Sequence, residues 1–375
     1  VEDVYDEFNG GLPSSEAIKR LVRYGVDHWG VEFVLLVGDA SEDHKRTRLP
    51  VSPLQQGSGP DLVPTYTYCV EVSGTYVDEV VSSDSWYAFL DPGEVPVSVG
   101  AVESAAGGSE GEVQASIQQE FGYPDVFVGR FPVGRDVEIR ALINKITKFE
   151  NTVIEDTWRR RIVLVSDDAW SGVGDDYKYN SYEREFAYSM GRVAADIEGS
   201  LPGGFEIHGL DLADWTDGAH EIGEYGAGVY SEALDSTRTF FVPNMLRKLN
   251  RGALLFTFQG HANRAALAKE AVFATMGQYE DQDSLRSQLP LVFIGVGCHI
   301  SDFAIVAELN ELFDGPNGDC LSEQILFKSG SGAVGTFASS AFEYLSQNAV
   351  FCERLHEVMF QDPPVDSIPP DKVST

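Results

Sequence analysis

Apolar runs typical of buried strands alternate along this chain with amphipathic stretches that have helical spacing. Ser14–Trp29 has a serine that can cap a helix and apolar residues about every 3.6 positions, and it leads into the continuous apolar run Phe33–Asp39. A similar pair is Asp125–Gly129, which we expect to be a short buried strand, followed by the helical pattern of Val137–Phe149. This alternation predicts an α/β fold in which helices flank mostly parallel sheets.

The second half of the chain repeats the alternation after a charged stretch. Its predicted strands are Ile162–Asp168, Ala253–Gln259, Leu291–Gly297 and a last one from Gly332, and its predicted helices are Ser181–Glu198, Pro243–Leu249 and one near Ser322. We therefore expect two subdomains, residues 1–156 and 157–362, with a surface excursion over 92–119 in the first. Residues 363–375 have too few apolar side chains to pack and are interpreted as a linker or tail.

Composition narrows the range of partners. The 375 residues carry 59 Asp and Glu against 27 Lys and Arg, a net charge of −32 that repels nucleic acid and anionic lipid. No apolar run reaches about 18 residues, so no membrane span is expected, and the first ten residues lack a signal-peptide pattern. We expect a segment of a longer multidomain precursor. The charge suits extracellular or high-salt surroundings, although a merely solubilising surface would have the same composition.

Two reactive side chains follow neighbouring predicted strands. His261 comes after Ala253–Gln259 and Cys298 after Leu291–Gly297, each preceded by a glycine, Gly260 or Gly297. In parallel α/β sheets, reactive groups gather beyond the carboxyl ends of the strands. A thiol needs a base to become a nucleophile, and an imidazole can both take that proton and return it to a leaving amine. The pattern therefore indicates a cysteine nucleophile with a histidine general acid and base.

Each residue alone has a simpler interpretation. A single cysteine after a buried strand is usually a small core residue, and a single histidine is usually structural. Their joint position at two strand ends favours the catalytic dyad, for which the backbone amides of Cys298 and Ala262 are candidate oxyanion donors. His299 is a weaker candidate base, because adjacent residues leaving a strand point to opposite sides. The four cysteines lack zinc-site spacing, so thiolate metal binding is not expected.

Several segments, in order, resemble the gingipain family of cysteine peptidases over nearly the whole chain. They include FVLLVGDAS, DVFVGRFPV, FQGHANRAALAKE, LPLVFIGVGCHISDF and SGSGAVGTFASS. The resemblance implies two caspase-like subdomains, the second catalytic, with Cys298 as nucleophile and His261 as general acid and base. It also implies an acidic residue after the first strand of the catalytic subdomain that orients the histidine, for which Asp168 is the better match and Asp167 the second. The family often has glycine after the histidine, where this chain has Ala262.

The resemblance also suggests how substrate and cations are bound. It implies a preference for Arg or Lys before the scissile bond, to which the segment with Asp175, Asp176, Asn180 and Glu183 should contribute. Gly260, Gly297 and Glu270 are further candidates for substrate contact, although Glu270 could equally be a packing residue. No cofactor is required for the chemistry. Structural calcium is suggested by the family, and the candidate oxygen ligands Asp39, Asp43, Asp84 and Asp91 could instead cap helices or pair with Arg130.

These patterns together predict a cysteine endopeptidase that hydrolyses protein or peptide substrates, at the cell surface or outside the cell. Two alternatives stay open. An amine could resolve the acyl-enzyme at Cys298, giving a sortase-like transpeptidase for surface anchoring. The chain could also be a non-catalytic caspase-like scaffold, although a scaffold has no chemical reason to retain the Cys298 and His261 pair.

Overall fold

A computed structural model describes residues 1–41, 63–72, 77–91, 124–152, 157–201, 203–216, 226–275, 279–304 and 319–361. Within them the strands are β1 (Phe33–Val37), β2 (Tyr66–Val72), β3 (Val77–Ser83), β4 (Phe127–Phe131), β5 (Arg161–Ser166), β6 (Trp170–Ser171), β7 (Lys178–Tyr179), β8 (Glu206–Asp211), β9 (Leu255–Gln259), β10 (Ala266–Leu267), β11 (Phe273–Ala274), β12 (Leu291–Val296) and β13 (Ala333–Ala338). The helices are α1 (Glu2–Asn9), α2 (Ser15–Trp29), α3 (Asp136–Asn151), α4 (Glu185–Ser200), α5 (Ala213–Thr216), α6 (Ala227–Ser236), α7 (Val242–Asn250), α8 (Asp281–Ser284), α9 (Leu321–Phe327) and α10 (Leu345–Phe360). Among the described residues, no helix is long and apolar enough to cross a membrane.

The chain divides into two compact units. One comprises Val1–Ile139 with Asp302–Glu311, and the other comprises Arg140–Ser301 with Leu312–Thr375. The division therefore falls within α3, whereas the sequence pattern placed it near residue 156. The predicted excursion over 92–119, the predicted tail over 363–375 and Asp43 all lie outside the described residues.

The first unit contains two small strand pairs. β1 and β4 pair in parallel and β2 and β3 pair antiparallel. Helix α2 begins as predicted, because the Ser14 side chain accepts a hydrogen bond from the Ala17 N–H at 3.2 Å. The expectation that β1 and β4 are buried strands is wrong for the structure described. Apolar side chains pack on one face of the pair, while Phe33 and Phe127 on the other face are 72% and 65% exposed.

One of the candidate aspartates, Asp84, forms an ion pair in this unit. The guanidinium of Arg130 donates to both carboxylate oxygens of Asp84, at 2.6 and 2.8 Å, and also to the carbonyls of Gly38 and Val63. Bidentate pairs of this kind are stronger than single hydrogen bonds. Asp84 is therefore a structural ion-pair residue, as the Arg130 alternative predicted.

The second unit is built on one five-stranded parallel sheet with the order β13-β12-β9-β5-β8. Its central strand, β9, is buried along its whole length, as its unbroken apolar sequence predicts. Alternate residues of β9 and β12 face opposite sides of the sheet. Phe256, Phe258 and Phe293 pack with residues of α7 and α9, whereas Leu255 and Ile294 pack with residues of α4 and α10. Helices thus cover both faces and leave the carboxyl edge of the sheet for the site.

Candidate active site

The ends of β9 and β12 lie side by side. Val296 is paired with Gln259, and the Gly260 N–H donates to the Val296 carbonyl at 3.0 Å. A side chain on Gly297 would lie 2.4 Å from the Gly260 oxygen. The segments that carry His261 and Cys298 are therefore in direct contact, and that contact requires glycine at 297.

Close packing also requires glycine at position 260. A Cβ at this position would lie 2.3 Å from the Asp167 Cβ. Protein atoms therefore occupy the space beside both glycines, so packing explains their presence at Gly260 and Gly297 without substrate.

His261 is held at its backbone and at its ring. Its N–H donates to the Asp167 Oδ2 at 2.7 Å, and its imidazole packs edge-on against Phe186, with ring centroids 5.5 Å apart. The Nε2 atom lies 3.1 Å from the Glu183 Oε2, close enough for an ion pair, although the ring N–H is not aligned for a hydrogen bond. The side chain keeps 26% of its surface exposed, so a substrate can reach it.

Glu183 is the carboxylate that faces the imidazole. It lies on a 3₁₀ turn, Ser181–Arg184, and its Oε1 accepts a hydrogen bond from the Asn180 Nδ2 at 2.8 Å. The Glu183 side chain is 11% exposed, so its carboxylate is largely shielded from water where it faces the ring.

Asp168, predicted to orient the histidine, makes different contacts. Its Oδ1 accepts from the Trp170 N–H at 2.9 Å and its Oδ2 accepts from the Thr216 hydroxyl. Asp167, the second candidate, bonds the backbone of His261 and not its ring. The structure therefore places Glu183, and not Asp168, beside the imidazole ring. Glu183 does not directly follow β5 in the sequence, because the chain turns through β6 and β7 before it returns to the histidine.

Replacing Glu183 by glutamine should lower kcat/KM by about 10- to 100-fold, the effect expected from losing a charged contact of about 1.5–3 kcal/mol. Glutamine keeps the shape and can still accept from Asn180. Glu185→Gln is the matched control, because that carboxylate pairs with Arg192 in an exposed ion pair. Steady-state kinetics on a peptide reporter measure kcat/KM for both variants and for the unmodified chain. Full activity in Glu183→Gln together with a large loss in Asp168→Asn would return the orienting role to Asp168.

The Cys298 sulfur faces the turn that follows β13. The Glu343 N–H donates to the Sγ at 3.3 Å, and the Glu343 carbonyl lies 3.7 Å from the same sulfur. A backbone donor at this position stabilises a thiolate, because it offers a hydrogen bond to the charged form. Cys298 is a half-buried free cysteine, whereas Cys320 and Cys352 are free and fully buried. Of these three thiols, Cys298 is the accessible one.

The backbone just after Cys298 is in an unusual conformation. His299 has a φ of 57°, in the left-handed region that non-glycine residues rarely adopt. Its N–H donates to the Ala341 carbonyl at 3.0 Å, and its ring packs edge-on against Phe342. Such outliers cluster at functional sites, where surrounding contacts hold them. The contacts of the His299 ring agree with its interpretation as a packed neighbour.

Glu343 is itself a buried carboxyl. Burial raises its pKa from the usual 4.5 to about 7, against the opposing effect of Ser339, Asn348 and the Gly297 backbone, which lower it. A raised pKa in the folded state means that folding favours the protonated form, so this contribution to stability is present below pH 4.5 and is lost as the pH rises to about 7.

Glu343→Gln should remove that loss. From pH 5 to pH 8 the unmodified chain should lose up to roughly 3 kcal/mol of unfolding free energy that the variant keeps, because the glutamine amide does not ionise. Urea unfolding of both proteins at the two pH values measures the difference. A gap between the two proteins that stays constant with pH would show that Glu343 does not titrate in this range.

The Ala262 amide, a candidate oxyanion donor, lies beside a short backbone pairing. Ala262 faces Leu267 in an antiparallel bridge, whose hydrogen bonds come from the Asn263 and Ala268 N–H groups. The Ala262 N–H is therefore not used in that pairing. Alanine after the histidine thus preserves the backbone donor that glycine would supply.

Comparison with known proteins places this arrangement in a family. The model of Peptidase family C25 matches residues 1–370. The chain belongs to peptidase family C25. The predicted resemblance to the gingipain cysteine peptidases is thereby confirmed.

Solved structures agree with this C25 assignment. The chain is similar to the crystal structure of the Arg-specific cysteine proteinase gingipain R, with 17% identity and a TM-score of 0.54 over 92% of this chain and 57% of that one. It is also similar to the complex of Porphyromonas gingivalis RgpB pro- and mature domains, with 16% identity and a TM-score of 0.57 over 96% and 62%. The C25 chain thus spans less than two thirds of either, and the likeness confirms the α/β, caspase-like fold. No curated protein matches.

Glu270, predicted to contact substrate, has no exposed surface in this C25 chain. It lies instead with Asp167 and Asp168, and each of the three offers a carboxylate oxygen within 4.8 Å of the others. Burial raises the pKa of Glu270 to about 7, and burial followed by the charge of Glu270 raises the pKa of both aspartates well above the usual value. The packing alternative for Glu270 therefore describes its surroundings better than substrate contact does.

The segment proposed for substrate specificity is divided between two environments. Asp175 and Asp176 are exposed on a 3₁₀ turn, whereas Asn180 and Glu183 are bonded to each other beside His261. Within this segment, Asp175 and Asp176 are the carboxylates that are open to solvent.

Proposed function

We propose that the chain is a cysteine endopeptidase with Cys298 as nucleophile and His261 as general acid and base. The observation that carries the proposal is the parallel pairing of β9 with β12, which joins the two segments in direct contact. Membership of a cysteine peptidase family supports it independently.

The chemistry follows from the two nitrogens of the imidazole. With Nε2 beside Glu183, Nδ1 is the nitrogen left to exchange a proton with the Cys298 sulfur. The thiolate attacks the peptide carbonyl and forms an S–C bond, while the Ala262 and Cys298 amides stabilise the oxyanion. Collapse breaks the C–N bond, and His261 gives its proton to the leaving amine. Water then adds to the thioester with His261 as base, which releases the acid and restores the thiol.

The proposal extends to a preference for Arg or Lys before the scissile bond. Glu183 beside His261 and the exposed Asp175 and Asp176 on the same segment give a basic side chain favourable electrostatic surroundings. One of the similar structures is described as Arg-specific, which supports the same preference. We further propose an extracellular or surface location within a longer precursor, in line with the likeness to a complex of pro- and mature domains.

A positional-scanning peptide library, assayed on the unmodified chain and on Cys298→Ala, tests activity and specificity together. The proposal expects cleavage after Arg or Lys that disappears in the variant. Cleavage elsewhere with none at basic residues would remove the preference and keep the peptidase. Mass spectrometry of the products with an added amine acceptor would reveal a transpeptidase, whereas absence of any Cys298-dependent turnover would favour a scaffold.

A further inference from the structure

The chain just after the proposed nucleophile is held by backbone hydrogen bonds to the segment that follows β13. The His299 N–H donates to the Ala341 carbonyl at 3.0 Å, and the Ser301 N–H donates to the Ser339 carbonyl at 2.7 Å. The two segments therefore run side by side, and the backbone on this side of the sulfur is fixed by main-chain contacts.

Glu343 holds the chain on the other side of the sulfur. Its carboxylate accepts a hydrogen bond from the Gly297 N–H, and further hydrogen bonds from the side chains of Ser339 and Asn348. Gly297 immediately precedes Cys298, Ser339 directly follows β13, and Asn348 lies in the first turn of α10. One carboxylate therefore ties together the ends of β12 and β13 and the start of α10.

The same residue contacts the sulfur through its main chain. The Glu343 N–H donates to the Cys298 Sγ at 3.3 Å. A movement of Glu343 would therefore displace both the peptide group that precedes Cys298 and the hydrogen-bond donor on its sulfur. Misplacing a reacting group by about 1 Å can slow a reaction by about 100-fold. We propose that Glu343 is a positioning residue, whose carboxylate holds the Gly297–Cys298 backbone in the geometry that attack by the sulfur requires.

The need at this position is for a hydrogen-bond acceptor and not for a charge. Burial raises the pKa of the Glu343 carboxyl to about 7, so its ionised form lowers stability above that pH. An apolar side chain of similar size would avoid this loss, but it would leave the Gly297 N–H and the donors of Ser339 and Asn348 without their acceptor. An uncharged acceptor of the same shape should therefore preserve the function of Glu343.

Two substitutions separate these requirements, on the basis that Cys298 is the nucleophile, as the proposed function holds. Glu343→Gln keeps an acceptor oxygen without the charge, and its kcat/KM should stay within about threefold of the parent. Glu343→Met has a similar length but only a weak acceptor, and it should lower kcat by about 10- to 100-fold while KM changes by less than about threefold. Steady-state kinetics on a peptide reporter measure both constants.

The alkylation of Cys298 by iodoacetamide gives a second readout, followed by intact-mass measurement. A displaced N–H donor stabilises the thiolate less, so the rate should fall by about tenfold in Glu343→Met and stay near the parent rate in Glu343→Gln. Because alkylation needs no substrate, failure of the proposed function appears separately, as peptide turnover that survives in Cys298→Ala.

Glu323→Met is the matched control. The Glu323 carboxylate is also buried and also accepts a backbone N–H, that of Cys320 at 2.9 Å, but it caps α9. This variant should lower Tm and leave kcat and the alkylation rate of Cys298 unchanged. A role of Glu343 in stability alone would give Glu343→Met the same pattern as Glu323→Met, and that result would overturn the proposal.

Equal losses of kcat in Glu343→Gln and Glu343→Met would also overturn the proposal, because they would show that the charge matters and the acceptor does not. If Glu343→Met does not fold, Asn348→Ala replaces it. That variant removes the donor that α10 offers to the carboxylate, and both kcat and the alkylation rate should fall by about three- to tenfold. Parent values of both in Asn348→Ala would then contradict the positioning role.

Discussion

Cys298→Ala is expected to abolish peptide cleavage, with a fall in kcat/KM on the order of 10⁴-fold or more. No other sulfur can replace it among the free cysteines described, because Cys320 and Cys352 are fully buried. The substitution removes one atom from a half-buried position, so the thermal unfolding curve should change little. Labelling by a peptide acyloxymethyl ketone, followed by intact-mass measurement, checks the same prediction through a covalent signal.

Cys352→Ala is the matched control for that experiment. It removes a buried thiol of α10 that packs with residues of α4 and of the sheet, so it should lower stability while leaving labelling at one site per chain unchanged. Peptidase activity in Cys298→Ala would contradict the assignment of the nucleophile. So would a label found on a cysteine other than Cys298 in the unmodified chain.

His261→Ala is expected to lower kcat/KM by roughly 10²- to 10⁴-fold, the usual contribution of a general acid and base. The variant leaves a partly exposed space beside Phe186 and Glu183, into which free imidazole can diffuse. Added imidazole should therefore restore part of the lost rate, an effect that a purely structural role would not produce. Stopped assays over a range of imidazole concentrations measure the rescue.

His299→Asn is the control for the histidine prediction. Asparagine tolerates the left-handed backbone at this position, and the His299 ring contacts Phe342. Its activity should stay within a few-fold of the parent. A large loss in His299→Asn combined with near-normal activity in His261→Ala would transfer the proton-carrying role to His299.

The parallel sheet and its reactive edge were predictable because the relevant signals are local. The unbroken apolar runs of β9 and β12 are typical of buried parallel strands, and the residues that follow neighbouring parallel strands share one edge of the sheet. The glycines before His261 and Cys298 were recognisable too, although their cause is close packing between the two segments.

Contacts made by irregular segments were not predictable. Glu183 reaches the imidazole through a 3₁₀ turn, and no periodicity records that geometry. Glu343 could have been suspected, since it follows β13 at the same edge, but its contact with the sulfur depends on a turn whose path is set by tertiary packing. The exposure of Phe33 was missed for a related reason, because an apolar run does not reveal whether both faces of a strand are covered.

The most direct test of the account is to trap the acyl-enzyme. Reaction with an activated ester of a short peptide ending in arginine, quenched in acid and mapped by mass spectrometry, should place one acyl group on Cys298, preceded by a burst of released alcohol of about one per chain. The adduct should be absent from Cys298→Ala. Turnover without an adduct, or an adduct on any other residue, would contradict catalysis by the paired ends of β9 and β12.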